Sequence, residues 1–232
     1  MTNSLNRAPR STLLLGVIVL LVALFSVILF GGSLLYHLFG STKNTAVTFI
    51  AARSLFWICL FLAWLFSFSI EKQPLLIWEE KKYSFGAILL SVVAIFALLI
   101  VGCGIISATL MKAGFSRTSL RFDHMLTLFR GNYFVIFFTA LTAGFVEELT
   151  FRGYLLPRMT ILFKSPVISV LLSSILFGLL HFGYGTFLQI AAPFFIGLVF
   201  AFYYYEFRNI KVLIFCHIMW DLSAIIINLY RK

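Results

Sequence analysis

The sequence predicts an all-α, polytopic transmembrane bundle of seven or eight helices around a polar intramembrane cavity. Three observations predict it. Hydrophobic residues make up 62% of the 232 residues and charged residues only 11%, where a soluble domain carries roughly a quarter charged. The mean hydropathy is +1.05, more apolar surface than a single soluble core can hide, so lipid must replace water around it. The apolar residues also fall in unbroken runs rather than alternating ones, which argues for helices and against strands.

A helix rising about 1.5 Å per residue crosses a roughly 30 Å hydrocarbon core in about 20 residues. Runs of about that order extend from Leu13 to Phe39, Val47 to Ile70, Ser84 to Met111, Tyr133 to Leu156, Val167 to Phe182, Phe187 to Tyr205 and Val212 to Tyr230. The first follows Arg7 and Arg10 in the manner of a secretory signal. It is long enough to span and lacks a small-residue cleavage site, so it reads as a retained helix. Residues 1–131 then form an N-terminal group of helices with an interfacial segment, and 132–232 a core group within the same membrane domain.

Two connections are richer than the rest. Glu71 to Lys82 is charged and is interrupted by Pro74. Lys112 to Arg130 alternates basic and apolar residues, as expected of an in-plane interfacial helix that anchors its neighbours. The net charge of +10 is carried largely by loops and termini, where anionic headgroups attract it, and not by a basic soluble module, which excludes nucleic acid as a partner. Lys and Arg in the loops weakly favour a cytoplasmic N-terminus, with Arg7, Arg10 and Arg158 among the inner residues and Lys43, Arg231 and Lys232 among the outer ones. Cys59, Cys103 and Cys216 all lie in apolar runs and form neither a disulfide framework nor a metal knuckle.

The informative residues are those that membrane helices ordinarily exclude, because a charge at the bilayer centre costs at least about 2.5–3.5 kcal/mol. The fourth run holds Glu147 and Glu148, with Arg152 one turn beyond on the same face. The fifth ends at His181, and the seventh places His217 and Asp221 one turn apart. Taken singly, each has an ordinary account: a neutralised ion pair, a hydrogen-bonded core histidine, a helix-packing contact. Together they are costly on three separate helices, and one shared cavity relieves them all. A glutamate suits the activation of water, and two imidazoles suit either metal binding or the orientation of that water. Neither HExxH nor GxSxG is present. Cys216 and His217 point about 100° apart on a helix and make a poor dyad.

EELTFRGYLLPRM (Glu147–Met159) resembles the EExxxR motif of the type II CAAX prenyl endopeptidase and bacteriocin-processing family of intramembrane proteases. FGLLH (Phe177–His181) is similar to its FxxxH motif, and HIMWD (His217–Asp221) to its HxxxN/D motif. The resemblance spans about Tyr133 to Tyr230. It implies that Glu147 activates the attacking water and that Glu148 and Arg152 hold the site together. It implies that His181 and His217 either bind a metal, zinc with Glu147 as third ligand, or position the water. Asp221 would then orient His217 or assist at the oxyanion, although an ionised Asp, unlike the Asn common in eukaryotic members, cannot donate to an oxyanion.

The expected reaction is hydrolysis of a membrane-associated or lipidated peptide at a cavity formed by the last four helices, in contact with membrane lipids. Analogy extends this to a bacterial inner-membrane enzyme of bacteriocin processing or self-immunity. A non-catalytic immunity or scaffold protein that retains the motifs is the alternative, and a proton-coupled transporter ranks below it because no inverted repeat is evident. One geometric demand follows. From the inner face, Glu147 lies ~15 Å deep, His217 ~10 Å and His181 ~25 Å, so a break near Gly183, Gly185 and Pro193 is needed to bring His181 level with the others.

Overall fold

The computed structural model describes residues 8–39 and 46–230. Arg7, Lys43, Arg231 and Lys232, which entered the orientation count, lie outside the described residues. The helices are α1 (Arg10–Phe39), α2 (Ala46–Phe66), α3 (Phe85–Lys112), α4 (Leu120–Phe129), α5 (Tyr133–Thr142), α6 (Leu156–Phe163), α7 (Pro166–Leu179), α8 (Leu188–Phe207) and α9 (Ile210–Tyr230). A π-helical turn, Ser67–Glu71, extends α2, and two more, Ala143–Glu147 and Leu149–Leu155, join α5 to α6 in one continuous rod. Seven of the resulting spans are long and apolar enough to cross a membrane, as the sequence predicts.

The rod Tyr133–Phe163 stands at the centre. Its apolar window is 61% buried inside the protein, whereas those of the other spans are 11–33% buried. The outer spans therefore present most of their Leu, Ile and Phe side chains outward, and lipid is the only medium that tolerates such a surface. Around the rod, α1 pairs with α2, α7 forms a tight hairpin with α8, α3 leans on α8, and α9 lies along the first π segment. Small residues permit these approaches. A β-carbon at Gly178 would meet the Ile190 carbonyl oxygen and Phe194 at 2.9 Å, and one at Gly197 would meet Ser174 at 3.1 Å.

Helix ends are closed by side chains, as a low-dielectric surround requires. Ser84, Ser119, Asn132 and Ser165 each accept a backbone N–H three residues on. The charged connection after Glu71 is also a cap. Glu80 accepts from the Ile210 N–H at 2.7 Å and from the Tyr204 hydroxyl at 3.0 Å, tying the loop to the start of α9. A carboxylate there also meets the positive end of the helix dipole.

Glu71 and Arg158 correct the sequence reading, which puts both in loops. Both are buried, because the rod runs on to Phe163 instead of ending near Leu156. Arg158 Nε and Nη2 donate to the Glu71 carboxylate at 2.5–3.1 Å, and Nη2 also donates to Ser67 Oγ at 2.7 Å. Tyr154 donates to Glu71 Oε1 at 2.8 Å. The π turn delivers Glu71 to this point, and Lys72 leaves it with a left-handed φ of 53°. Gly16 of α1 allows the approach, since a β-carbon there would collide with the Tyr154 hydroxyl.

Removing one partner of such a pair strands the other charge in the interior. Glu71→Ala is therefore expected to cost about 3–5 kcal/mol, whereas the paired replacement Glu71→Leu with Arg158→Met should recover most of that loss. Denaturant unfolding in detergent micelles measures both.

Candidate active site

The two π segments of the central rod bracket the glutamate pair. Glu147 closes the first segment, Glu148 joins the two, and Arg152 sits in the second. Such segments widen a helix turn and recur at functional sites. Gly144 brings α9 against this stretch, because a β-carbon there would collide with Ile218 and lie 3.1 Å from the Ile214 carbonyl oxygen. The close approach sets His217 beside the glutamates.

Glu148 is the hub. Its Oε1 accepts from Arg152 Nη1 at 2.8 Å and from His217 Nδ1 at 2.7 Å. All three side chains are buried. Arg152 Nη2 also donates to the Gly197 carbonyl at 3.3 Å, and its guanidinium lies 4.4 Å from the Phe177 ring centroid and 5.4 Å from that of Phe200. A carboxylate paired with a guanidinium only accepts, so the Nδ1 proton of His217 points at Glu148. The opposite nitrogen, Nε2, is left facing Glu147 Oε2 at 3.9 Å and Asp221 Oδ2 at 3.8 Å.

Glu147 differs from its neighbour. Its side chain keeps 13% of its exposure, and its Oε2, like the Oε2 of Glu148, has no hydrogen-bond partner among the described residues. The adjacent glutamates differ in their other contacts: Glu148 Oε1 holds Arg152 and His217, whereas Glu147 is the more exposed and faces His217 Nε2.

The helix break expected at His181 is present. α7 stops at Leu179, a 3₁₀ turn spans Phe182–Tyr184, and Gly185 turns the chain with a φ of 91° before α8 begins. His181 Nδ1 donates to the Phe177 carbonyl at 2.9 Å, which turns the ring toward a cavity of about 280 Å³. His217, Asp221, Arg53 and Tyr184 share that cavity wall. Asp221 lies within Coulomb reach of His181, His217 and Glu147. The cavity is not built from the last four spans alone. Arg53 of α2 and Phe122, Met125 and Leu126 of α4 complete it, so the segment expected to be an interfacial anchor is also a wall of the cavity.

Asp221 Oδ2 lies 3.8 Å from His217 Nε2, beyond hydrogen-bond range, and Glu148 is the carboxylate bonded to the ring. Among the described residues no three His, Cys, Asp or Glu side chains are grouped to hold a metal ion. The Phe177 ring packs against both imidazoles, with centroids 5.2 Å from His181 and 6.0 Å from His217. Arg53 and Tyr184, linked by a 2.7 Å hydrogen bond from Nη2 to the phenol, escaped the sequence reading. An arginine inside an apolar run was the signal available for the first, and nothing local marked the second.

Residues 129–223 match the family model described as type II CAAX prenyl endopeptidase, Rce1-like. The match covers somewhat less than half of the chain and contains Glu147, Glu148, Arg152, His181, His217 and Asp221. No curated protein and no solved structure matches the chain.

The hub carries a direct energetic signature. A double-mutant cycle of Glu148→Gln and His217→Asn is expected to show a coupling of about 1–3 kcal/mol, the upper range for contacting buried groups. The same cycle between Glu148 and Asp221 should give under about 0.5 kcal/mol. Unfolding midpoints in micelles supply the four corners of each cycle.

Proposed function

We propose that the chain, whose residues 129–223 match the Rce1-like model of type II CAAX prenyl endopeptidases, is an intramembrane endopeptidase with Glu147 as its general base. The observation that carries this reading is the division of the glutamate pair. Glu148 spends Oε1 on Arg152 and His217 and is fully buried, while Glu147 keeps 13% of its side-chain exposure and faces His217 Nε2 at 3.9 Å.

In the reaction, Glu147 takes a proton from a water held near His217 Nε2, and the water oxygen attacks the scissile carbonyl carbon. The proton passes to the amide nitrogen as the C–N bond breaks, leaving a carboxylic acid, which then ionises in water, and an amine. Glu148 and Arg152 act one step back, by fixing the tautomer and direction of His217. His181, on the same cavity wall as His217, supplies a second imidazole to orient the water.

The substrate class follows from the walls. Between α4 and α9 the cavity is bordered by Phe122, Met125, Leu126 and Ile225, an apolar surface suited to a membrane-associated or lipidated peptide. Bacteriocin processing or self-immunity in a bacterial inner membrane fits such a substrate.

A membrane-anchored reporter peptide distinguishes chemistry from scaffolding. Glu147→Gln keeps the shape of the side chain and removes the base, so cleavage should fall by at least about 10²-fold while the unfolding midpoint stays within a few degrees. His181→Ala should also lose cleavage. Equal phenotypes of the wild type and both variants would mark the protein as a non-catalytic scaffold.

A further inference from the structure

Arg53 lies on α2, outside the matched family segment. Arg152 and Arg158, deeper in the chain, are each neutralised by a buried carboxylate at 2.8 Å and 2.5 Å. Arg53 has no carboxylate within ion-pair distance among the described residues, although Glu147 and Asp221 are within its Coulomb reach. Its Nη2 donates to Tyr184 Oη at 2.7 Å, and its guanidinium lies 5.5 Å from the Phe49 ring centroid. It forms part of the cavity wall shared by His181, His217 and Asp221. A cation at this depth is costly without a direct counter-charge, so its position facing a cavity calls for an anionic group there.

The donor inventory says which one. Peptide hydrolysis places negative charge on the scissile carbonyl oxygen, and that oxygen needs a hydrogen-bond donor. An ionised Asp221 only accepts, and the proton that Glu147 takes from water is the one it passes to the leaving amine. The Nδ1 protons of His217 and His181 are committed to Glu148 and to the Phe177 carbonyl. That leaves Nε2 as the ring nitrogen each histidine turns toward the cavity. Apart from Arg152, which is spent on Glu148, the side chains of the three motifs bring no permanent cation to the oxyanion. Asn228, on the same wall, spends its Nδ2 on the Ala224 carbonyl at 2.8 Å. Arg53 carries five N–H groups in a planar fork.

We infer that Arg53 is the oxyanion-stabilising residue of the reaction, an assignment that rests on the hydrolytic reading above. As water bonds to the carbonyl carbon, the C=O electron pair moves onto oxygen and meets the guanidinium N–H groups. When the pair returns, the C–N bond breaks and the amine leaves with the proton held by Glu147. Tyr184 positions the guanidinium: its hydroxyl accepts from Arg53, and its backbone carbonyl accepts from the Ser119 hydroxyl.

The test uses the full chain in proteoliposomes with the membrane-anchored reporter. Arg53→Met should lower kcat by about 10²–10³-fold, the effect of deleting one oxyanion donor, with KM changed less than about threefold. Arg53→Lys should restore at least about tenfold of that loss, and Tyr184→Phe should lower kcat by about tenfold with KM unchanged. Two outcomes overturn the assignment: kcat within about threefold of wild type for Arg53→Met, or a loss that falls on KM and disappears for a carboxamide-ended reporter. Gln189 lines the same cavity and its amide is the rival donor, so a larger kcat loss for Gln189→Leu than for Arg53→Met also overturns it.

A binding measurement separates this inference from the reading beneath it. Wild type should bind a phosphinic peptide, an anionic mimic of the tetrahedral species, at least about 30-fold tighter than its uncharged hydroxyethylene isostere. Arg53→Met should lose that preference, and its retention overturns the assignment whether or not the reporter is cleaved. An Arg53-dependent preference in a protein that cleaves nothing would support the anion site and sink the hydrolytic reading.

Discussion

One carboxylate oxygen, Glu148 Oε1, joins three parts of the protein. It accepts from Arg152 on the same rod and from His217 on α9, and Arg152 in turn reaches the Gly197 carbonyl on α8. In a medium without water each of these groups must find its partner inside the protein. Losing any one strands the others, so the arrangement behaves as a single unit. The aromatic rings of Phe151, Phe177 and Phe200 close around the guanidinium and keep the unit dry. The tautomer of His217, the availability of its Nε2 and the freedom of Glu147 all follow from how Glu148 is occupied.

A second buried charge unit supports the same rod from below. Glu71, Arg158, Tyr154 and Ser67 tie the end of α2 to the stretch just beyond Arg152. The loop that follows Glu71 then reaches across to α8 and α9 through Glu80 and Lys81. The central rod is thereby held at two levels. That is a physical basis for keeping irregular π segments in position, since their widened turns form weaker backbone hydrogen-bond ladders than an α-helix.

Division of labour between identical side chains is the chemical theme of the site. Glu147 and Glu148 are adjacent in sequence, yet Glu148 binds a guanidinium and an imidazole while Glu147, the more exposed, faces that imidazole's other nitrogen at 3.9 Å. His181 and His217 both pack against Phe177, yet their Nδ1 atoms bond to different acceptors, the Phe177 carbonyl and Glu148. Arg53 and Tyr184 add their polar groups to the same cavity wall.

The membrane class, the spans and the three motif positions were legible in the sequence, because each rests on composition or on the cost of a charge in lipid. Glu148–Arg152 was legible too, being a local i,i+4 pair. The break after His181 could be read from Gly185 and from the depth mismatch between helices. Tertiary structure decided the rest. Whether Glu148 or Asp221 holds His217 depends on how closely α9 approaches the rod at Gly144, a contact between residues far apart in the chain. Glu71 and Arg158 look like loop charges until the π turn and the extended rod bring them together. Arg53 acquires its place only when α2, α7 and α9 enclose one cavity. Local sequence determines which side chains are costly in a membrane, whereas only packing determines which partner meets each of them.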